Sequence, residues 1–196
     1  MPYKIVKRVC DFTLALIALL LFSPLMLILA FLIYIKMGGG IVFSQLRPGK
    51  DGELFKMYKF RTMMAEDRNV YRTDEQRITE LGRWLRASSL DELPELINVV
   101  KGEMSLVGPR PLLVEYLSKY TPNQMRRHDV LPGITGLAQA RGRNNLSWKN
   151  KFRYDVFYAQ RANLLFDLRI LYETIGVVIF RKGFRSYGEP TKFGEY

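Results

Sequence analysis

The chain contains one cysteine and one histidine in 196 residues. Cys10 alone cannot form an internal disulfide and says nothing of the redox compartment. His128 sits among Arg126, Arg127 and Asp129. With no second His or Cys to join it in a metal site, it reads as a polar surface residue. No GxxxxGK[ST] phosphate loop and no GxGxxG turn occurs, which excludes nucleotide-binding units of those types. No Ser-His-Asp set can be assembled. Aromatic and basic residues do not interleave as they do in nucleic-acid modules, so no nucleic-acid partner is expected. Negative charge is also scarce: 19 acidic residues face 30 basic ones, a formal net charge of +11. Such a balance suits anionic partners, whether lipid headgroups or phosphorylated substrates. Repeats and low-complexity tracts are absent, apart from Gly38-Gly39-Gly40.

What the chain does have is a long apolar run over residues 12–34, interrupted near its centre by Ser23-Pro24. Roughly 20 such residues suffice to cross about 30 Å of hydrocarbon. Proline removes a backbone donor and kinks or breaks a helix, while Ser23 can return a hydrogen bond to a freed carbonyl. Lys4, Lys7 and Arg8 precede the run; Lys36, Arg47, Lys50, Lys56, Lys59 and Arg61 follow it. Basic flanks tend to stay cytoplasmic, and here both flanks are basic. A re-entrant hairpin satisfies both ends, each arm of about eleven residues reaching ~16 Å. A kinked spanning helix is the other reading. The run exceeds a signal-peptide core and no small-residue cleavage site follows it, so cleavage is not expected. Residues 1–37 are read as the membrane element and residues 38–196 as a compact domain beyond it.

In that domain, residues 41–46 and 53–60 alternate and flank a Pro-Gly-rich turn, which predicts a β-hairpin. Residues 65–77 read as a charged loop with a short helix, and residues 79–86 as a helix. A further helix is predicted from Ser88-Ser89, with Ser as its N-cap, Asp91-Glu92 in its first turn and Gly102 as its stop. Residues 131–136 read as a loop. Residues 148–161 and 164–181 read as two amphipathic helices, able to pack on the domain and touch a membrane surface. The fold class is α/β, mostly helical, with a small antiparallel hairpin.

Four groupings could carry chemistry. Asp91-Glu92 at a helix start would be held ionised by the helix dipole, available as nucleophile or metal ligand; acids there also serve simple capping. Lys59 and Arg61 alternate onto one strand face, where both could meet a phosphate or merely protect an edge. Arg110 is fixed between Pro109 and Pro111, as a phosphate fork or as part of a rigid turn. Arg141-Gly142-Arg143-Asn144 suits close approach to an anion, and equally a surface loop.

These motifs combine in a fixed order: Ser23-Pro24; Gln45-Leu46-Arg47-Pro48-Gly49; Tyr58-Lys59-Phe60-Arg61-Thr62-Met63; Leu90-Asp91-Glu92-Leu93-Pro94-Glu95; Ser105-Leu106-Val107-Gly108-Pro109-Arg110-Pro111; Pro132-Gly133-Ile134-Thr135-Gly136; Gly142-Arg143-Asn144. In that order the chain resembles the bacterial sugar transferases, the monotopic phosphoglycosyl transferases, over nearly its whole length. Its short length is similar to the minimal members. The run Pro111-Leu112-Leu113-Val114-Glu115-Tyr116-Leu117 looks most like the enzymes that start protein N-glycosylation with diacetylbacillosamine.

The resemblance implies transfer of a sugar 1-phosphate from a UDP-sugar to undecaprenyl phosphate, with release of UMP, as the first membrane step of glycoconjugate assembly. It implies Asp91 as nucleophile and Mg²⁺ ligand, Glu92 as its support, and Lys59, Arg110 and Arg143 as phosphate holders. Asp167 matches an acidic position of less defined role. It further implies a helix-break-helix at Ser23-Pro24, inner-leaflet lipids as partners, and a catalytic domain on the cytoplasmic face of the bacterial inner membrane. UDP-diacetylbacillosamine is the expected donor, with UDP-GalNAc, UDP-GlcNAc or a UDP-hexose as alternatives. Oligomeric state stays open. A different class, a membrane-anchored binder of anionic lipid without chemistry, fits the charge and the apolar run equally well.

Overall fold

The computed structural model describes residues 2–65, 73–142, 145–179 and 193. It is mostly helical, with two small sheets. The apolar run forms one helix, α1 (Pro2–Met37), which continues through Pro24. The expected interruption at Ser23-Pro24 is therefore not a loss of helix. Pro24 lacks the N–H that would bond the carbonyl four residues back, that of Leu20. The Ser23 hydroxyl donates to that same carbonyl at 2.8 Å, so the turn survives the missing donor.

One stripe of α1 faces the rest of the protein. Ala15 packs with Phe55, Met57, Leu96, Val99 and Met104. Further along, Leu29, Ile33 and Met37 pack with Phe60 and Leu85. Between these two contacts, residues 20–24 are all exposed. The opposite side presents Phe12, Leu16, Leu20, Leu27, Phe31 and Ile35 outward, a surface compatible with membrane anchoring.

After α1 come β1 (Val42–Pro48) and β2 (Leu54–Phe60), antiparallel and paired from Val42 with Phe60 to Pro48 with Leu54. The predicted hairpin is present, and β1 runs on to Pro48, a strand end where proline is tolerated. Arg61 follows β2, and its guanidinium donates to the Met37 and Gly38 carbonyls, both at 2.6 Å. It thus caps the C-terminus of α1.

The short α2 (Asp74–Arg77) and then α3 (Glu80–Ser88) follow. Thr79 caps α3, accepting from the Gly82 amide at 2.9 Å. The predicted helix from Ser88-Ser89 is split. Ser89 adopts a left-handed conformation (φ 58°) without a side-chain cap, and a single 3₁₀ turn covers Leu90–Glu92. The α-helix α4 (Glu95–Lys101) starts only after Pro94 and stops at Gly102, whose φ is 90°. Pro94 has no N–H to extend a ladder from the 3₁₀ turn, so the two pieces stay separate.

The loop expected at residues 131–136 contains a strand. Here β3 (Ser105–Val107) and β4 (Gly133–Thr135) pair in parallel. They approach so closely that a Cβ on Gly133 would lie 2.1 Å from the Gly108 nitrogen, and one on Gly136 2.1 Å from the Gly108 oxygen. The region between holds a 3₁₀ segment (Val114–Lys119), α5 (Pro122–Met125) and a second 3₁₀ turn (Arg126–Asp129). After β4 come α6 (Leu137–Arg141), α7 (Trp148–Arg161) and α8 (Leu164–Ile179). The last two fall where the hydrophobic pattern placed them, residues 180–181 of the second prediction lying outside the described residues. Val107, Leu137, Tyr158 and Ile170 form the third core cluster.

Candidate active site

Three segments bring charge together. The 3₁₀ turn supplies Asp91 and Glu92, anchored by Leu90 and Leu93 in the apolar cluster beneath α1. The strand β2 supplies Lys59, and the Pro109-Pro111 segment after β3 supplies Arg110. Lys59 Nζ lies 2.8 Å from Glu92 Oε1 and 3.0 Å from Glu95 Oε1. Arg110 Nη2 reaches the same Glu92 oxygen at 2.5 Å. Both cations thus converge on Glu92, and neither donates a hydrogen bond to Asp91.

The three acids consequently differ. Asp91 is buried, which pushes its carboxyl up to about 6; the Glu92 charge adds to the shift, and Lys59, Arg110 and Arg86 oppose it. Burial also acts against ionised Glu92, but Arg110 and Lys59 outweigh it and hold Glu92 well below the usual range. Glu95, 1 % exposed, is raised by burial to about 7 despite Lys59. The dipole stabilisation expected for Asp91 is therefore overridden. Its carboxylate sits in an isolated 3₁₀ turn ahead of α4, where desolvation dominates.

The surroundings fix these groups. Asn98, fully buried on α4, acts as a peptide mimic against β2. Its Oδ1 accepts from the Tyr58 amide at 3.1 Å and its Nδ2 donates to the Lys56 carbonyl at 2.7 Å. This ties the helix after Asp91 to the strand that carries Lys59. Arg127 is buried against Asp155 and donates to the Arg110 carbonyl at 2.6 Å, holding the backbone of Arg110. Arg86 donates to the Thr62 hydroxyl at 2.9 Å. From α1, Arg8 donates to the Val99 and Val100 carbonyls at the end of α4, and Asp11 accepts from the Leu106 amide of β3.

Of the residues singled out from sequence, Lys59, Asp91, Glu92 and Arg110 meet here. Arg61 does not join them, its guanidinium being engaged at the end of α1. Asp167 is a tie between helices: it accepts from Tyr3 (2.9 Å), Lys7 (2.8 Å) and Tyr158 (2.6 Å). Arg143 lies outside the described residues. His128 is not a surface residue. It is 5 % exposed, with Nδ1 at 2.8 Å from the Gly49 carbonyl, because the hairpin turn folds over it. Glu95, Asn98 and Arg127 were missed. For Glu95 a signal existed: it stands three and four residues after Glu92 and Asp91, the spacing that brings helical neighbours together.

A lipid-binding surface has no use for a buried carboxylate left without a hydrogen bond from its neighbouring cations. A carboxylate in that state, on a domain packed against a membrane-compatible helix, has the chemistry of an enzyme's acid. Residues 2–181 match the family model described as bacterial sugar transferase, and the chain belongs to that family. It is 45 % identical to the uncharacterized sugar transferase EpsL of Bacillus subtilis, covering 95 % of this chain and 94 % of that one. It is 38 % identical to the UDP-galactose-lipid carrier transferase of Erwinia amylovora, covering 92 % of this chain and 42 % of the relative. Identity to the UDP-glucose:undecaprenyl-phosphate glucose-1-phosphate transferase of Klebsiella pneumoniae is 37 %, over 86 % of this chain and 39 % of the relative. The chain thus spans less than half of the latter two and nearly all of EpsL.

Proposed function

We propose that this protein transfers a sugar 1-phosphate from a UDP-sugar to undecaprenyl phosphate and releases UMP, through a phosphosugar held covalently on Asp91. The observation that carries the reading is the division of labour between the two adjacent acids. Glu92 holds the cations, while Asp91 remains buried and free of them. In the first step an Asp91 oxygen bonds to the sugar-bearing phosphorus and the bond to UMP breaks. In the second, an oxygen of the lipid phosphate bonds to that phosphorus and the Asp91 carboxylate is released. Lys59 and Arg110 bear the phosphate charge, and Glu92 keeps both aimed at the site. Arg143, at a basic position of the resemblance, joins them in this proposal.

Asp91 suits Mg²⁺ as an oxygen ligand, although among the described residues no group of three or more His, Cys, Asp or Glu converges to hold a metal unaided. One carboxylate plus substrate phosphates is a usual arrangement for this ion, which would neutralise phosphate charge beside Asp91. The donor sugar is not fixed by these contacts. The relatives above are named for galactose and glucose, so a UDP-hexose stands beside UDP-diacetylbacillosamine, and UMP release from a panel of UDP-sugars decides between them.

Because the nucleophile must be ionised, UMP release is expected to fall as pH drops through about 6, above the ordinary carboxylate range. Rates measured between about pH 5 and 8 should show an acid limb there. A flat profile down to the usual range of aspartate would show that the raised state of Asp91 is not kept once Mg²⁺ and substrate are bound.

We also propose that α1 enters and leaves the bilayer on the cytoplasmic face, bent about Ser23-Pro24. Both ends of α1 are held by the same polar domain: Tyr3 and Lys7 by Asp167, and the Met37 carbonyl by Arg61. A spanning helix would place those ends on opposite sides. Tags at either end of the chain should be labelled from the cytoplasmic side only, and an N-terminal tag labelled from outside would reject the topology.

A further inference from the structure

Away from Asp91, the end of α7 and the first turns of α8 enclose an open groove of about 380 Å³, lined by Phe157, Arg161, Asn163, Leu165, Phe166 and Arg169. Phe157 and Phe166 meet edge to face at 6.1 Å and form an aromatic base. The Arg161 guanidinium stacks over Phe157 at 4.5 Å from the ring centroid, and among the described residues no carboxylate pairs with it. Arg169 shares Glu173 with Arg141, at 2.9 and 3.2 Å. One acid therefore serves two guanidiniums, and the groove keeps an excess of positive charge.

The wall beside these cations is apolar and unprotected. Leu165 is 78 % exposed, and the same outward stripe of α8 continues through Leu168 and Tyr172. On the buried side of α8, away from this stripe, Asp167 accepts from Tyr3 and Lys7 of α1. The first turns of α8 are thereby clamped to the first turns of α1, where Ile5, Val6 and Val9 are exposed.

We propose that this groove binds one anionic glycerophospholipid of the membrane that holds α1. The phosphodiester lies on Arg161 and Arg169, and the acyl chains run along Leu165, Leu168 and Tyr172. Each half of the site selects for part of such a molecule. A free anion has no use for the leucine wall, and a zwitterionic lipid gains little from unbalanced guanidiniums. The inference rests on α1 lying in a bilayer. It does not depend on the transfer reaction.

The test uses the full chain in neutral detergent, titrated with phosphatidylglycerol, phosphatidylcholine, polyprenyl phosphate or inorganic phosphate and read by native mass spectrometry. The wild type should retain one phosphatidylglycerol, bound roughly tenfold or more tighter than phosphatidylcholine. The double variant Arg161→Gln, Arg169→Gln should lose that preference, and Leu165→Ser should weaken phosphatidylglycerol without affecting inorganic phosphate. UMP release by all variants should match the wild type, which verifies their fold. Equal phosphatidylglycerol binding by wild type and double variant would overturn the proposal, as would displacement of the lipid by equimolar inorganic phosphate. Polyprenyl phosphate outcompeting phosphatidylglycerol at the groove would reassign it to the acceptor substrate and equally reject it. Should the wild type release no UMP from any UDP-sugar, the functional reading fails while the lipid result stands, with thermal unfolding then serving as the fold control.

Discussion

Asp91→Asn is expected to lower UMP release by roughly 10³-fold or more while leaving the protein folded and on the membrane. The substitution keeps size and shape and removes only the negative charge. Burial works against that charge, which is why the carboxyl is raised to about 6, so a neutral amide costs less in desolvation than the carboxylate it replaces. Lys59 and Arg110 keep their partner, because both bond to Glu92. What disappears is the charge that makes a side-chain oxygen nucleophilic enough to bond to phosphorus. With a UDP-sugar and no lipid acceptor, the wild type should gain the mass of a sugar phosphate on the peptide containing Asp91, and the variant should not. Turnover retained in the variant, or an adduct on another peptide, would mean that a different group attacks or that the lipid phosphate attacks directly.

Gly133→Ala should be strongly damaging for so small a substitution. The parallel pair of β3 and β4 is joined by the Ser105 amide to the Pro132 carbonyl, the Gly108 amide to the Thr135 carbonyl and the Gly133 amide to the Pro109 carbonyl, at 2.8, 2.9 and 3.0 Å. An added Cβ would meet backbone at 2.1 Å (the Gly108 nitrogen) and 2.4 Å (the Thr135 oxygen). No rotamer relieves a clash between main-chain atoms. A loss of about 3 kcal/mol is expected, read as roughly a 10 °C fall in the unfolding midpoint. Because the segment leads directly to Arg110, activity should fall even below the unfolding range. The control is Gly176→Ala on α8, where a Cβ meets nothing within 4 Å and helix propensity favours alanine. Equal stability of the two variants would show that β3 and β4 can part without harm.

Elements with a period were legible in the sequence. The hairpin announced itself by alternation around a Pro-Gly turn, α1 by its apolar length though not by its continuity through Pro24, and α7 and α8 by their hydrophobic pattern. The pair β3 and β4 was not, because three residues are too few to show a period, and the glycines that permit the contact look like ordinary loop glycines. The site was legible as a set of residue types and only partly as an arrangement. Alternation put Lys59 and Arg61 on one strand face, but β2 ends at Phe60 and Arg61 is drawn to open carbonyls at the end of α1. The dipole argument for Asp91 assumed a helix that Pro94 postpones. His128 looked solvated because its sequence neighbours are charged, yet a hairpin turn 79 residues away buries it.

The inward stripe of α1 has a consequence for how this protein is made and handled. Ala15, Leu29, Ile33 and Met37 belong to the same apolar clusters as Phe55, Phe60, Leu85 and Leu96. Trimming the chain at Gly38 to obtain a water-soluble enzyme would uncover two of the three apolar clusters found among the described residues, including the one that anchors Leu90 and Leu93. The same helix thus offers one side to the domain's interior and the other to an apolar surrounding.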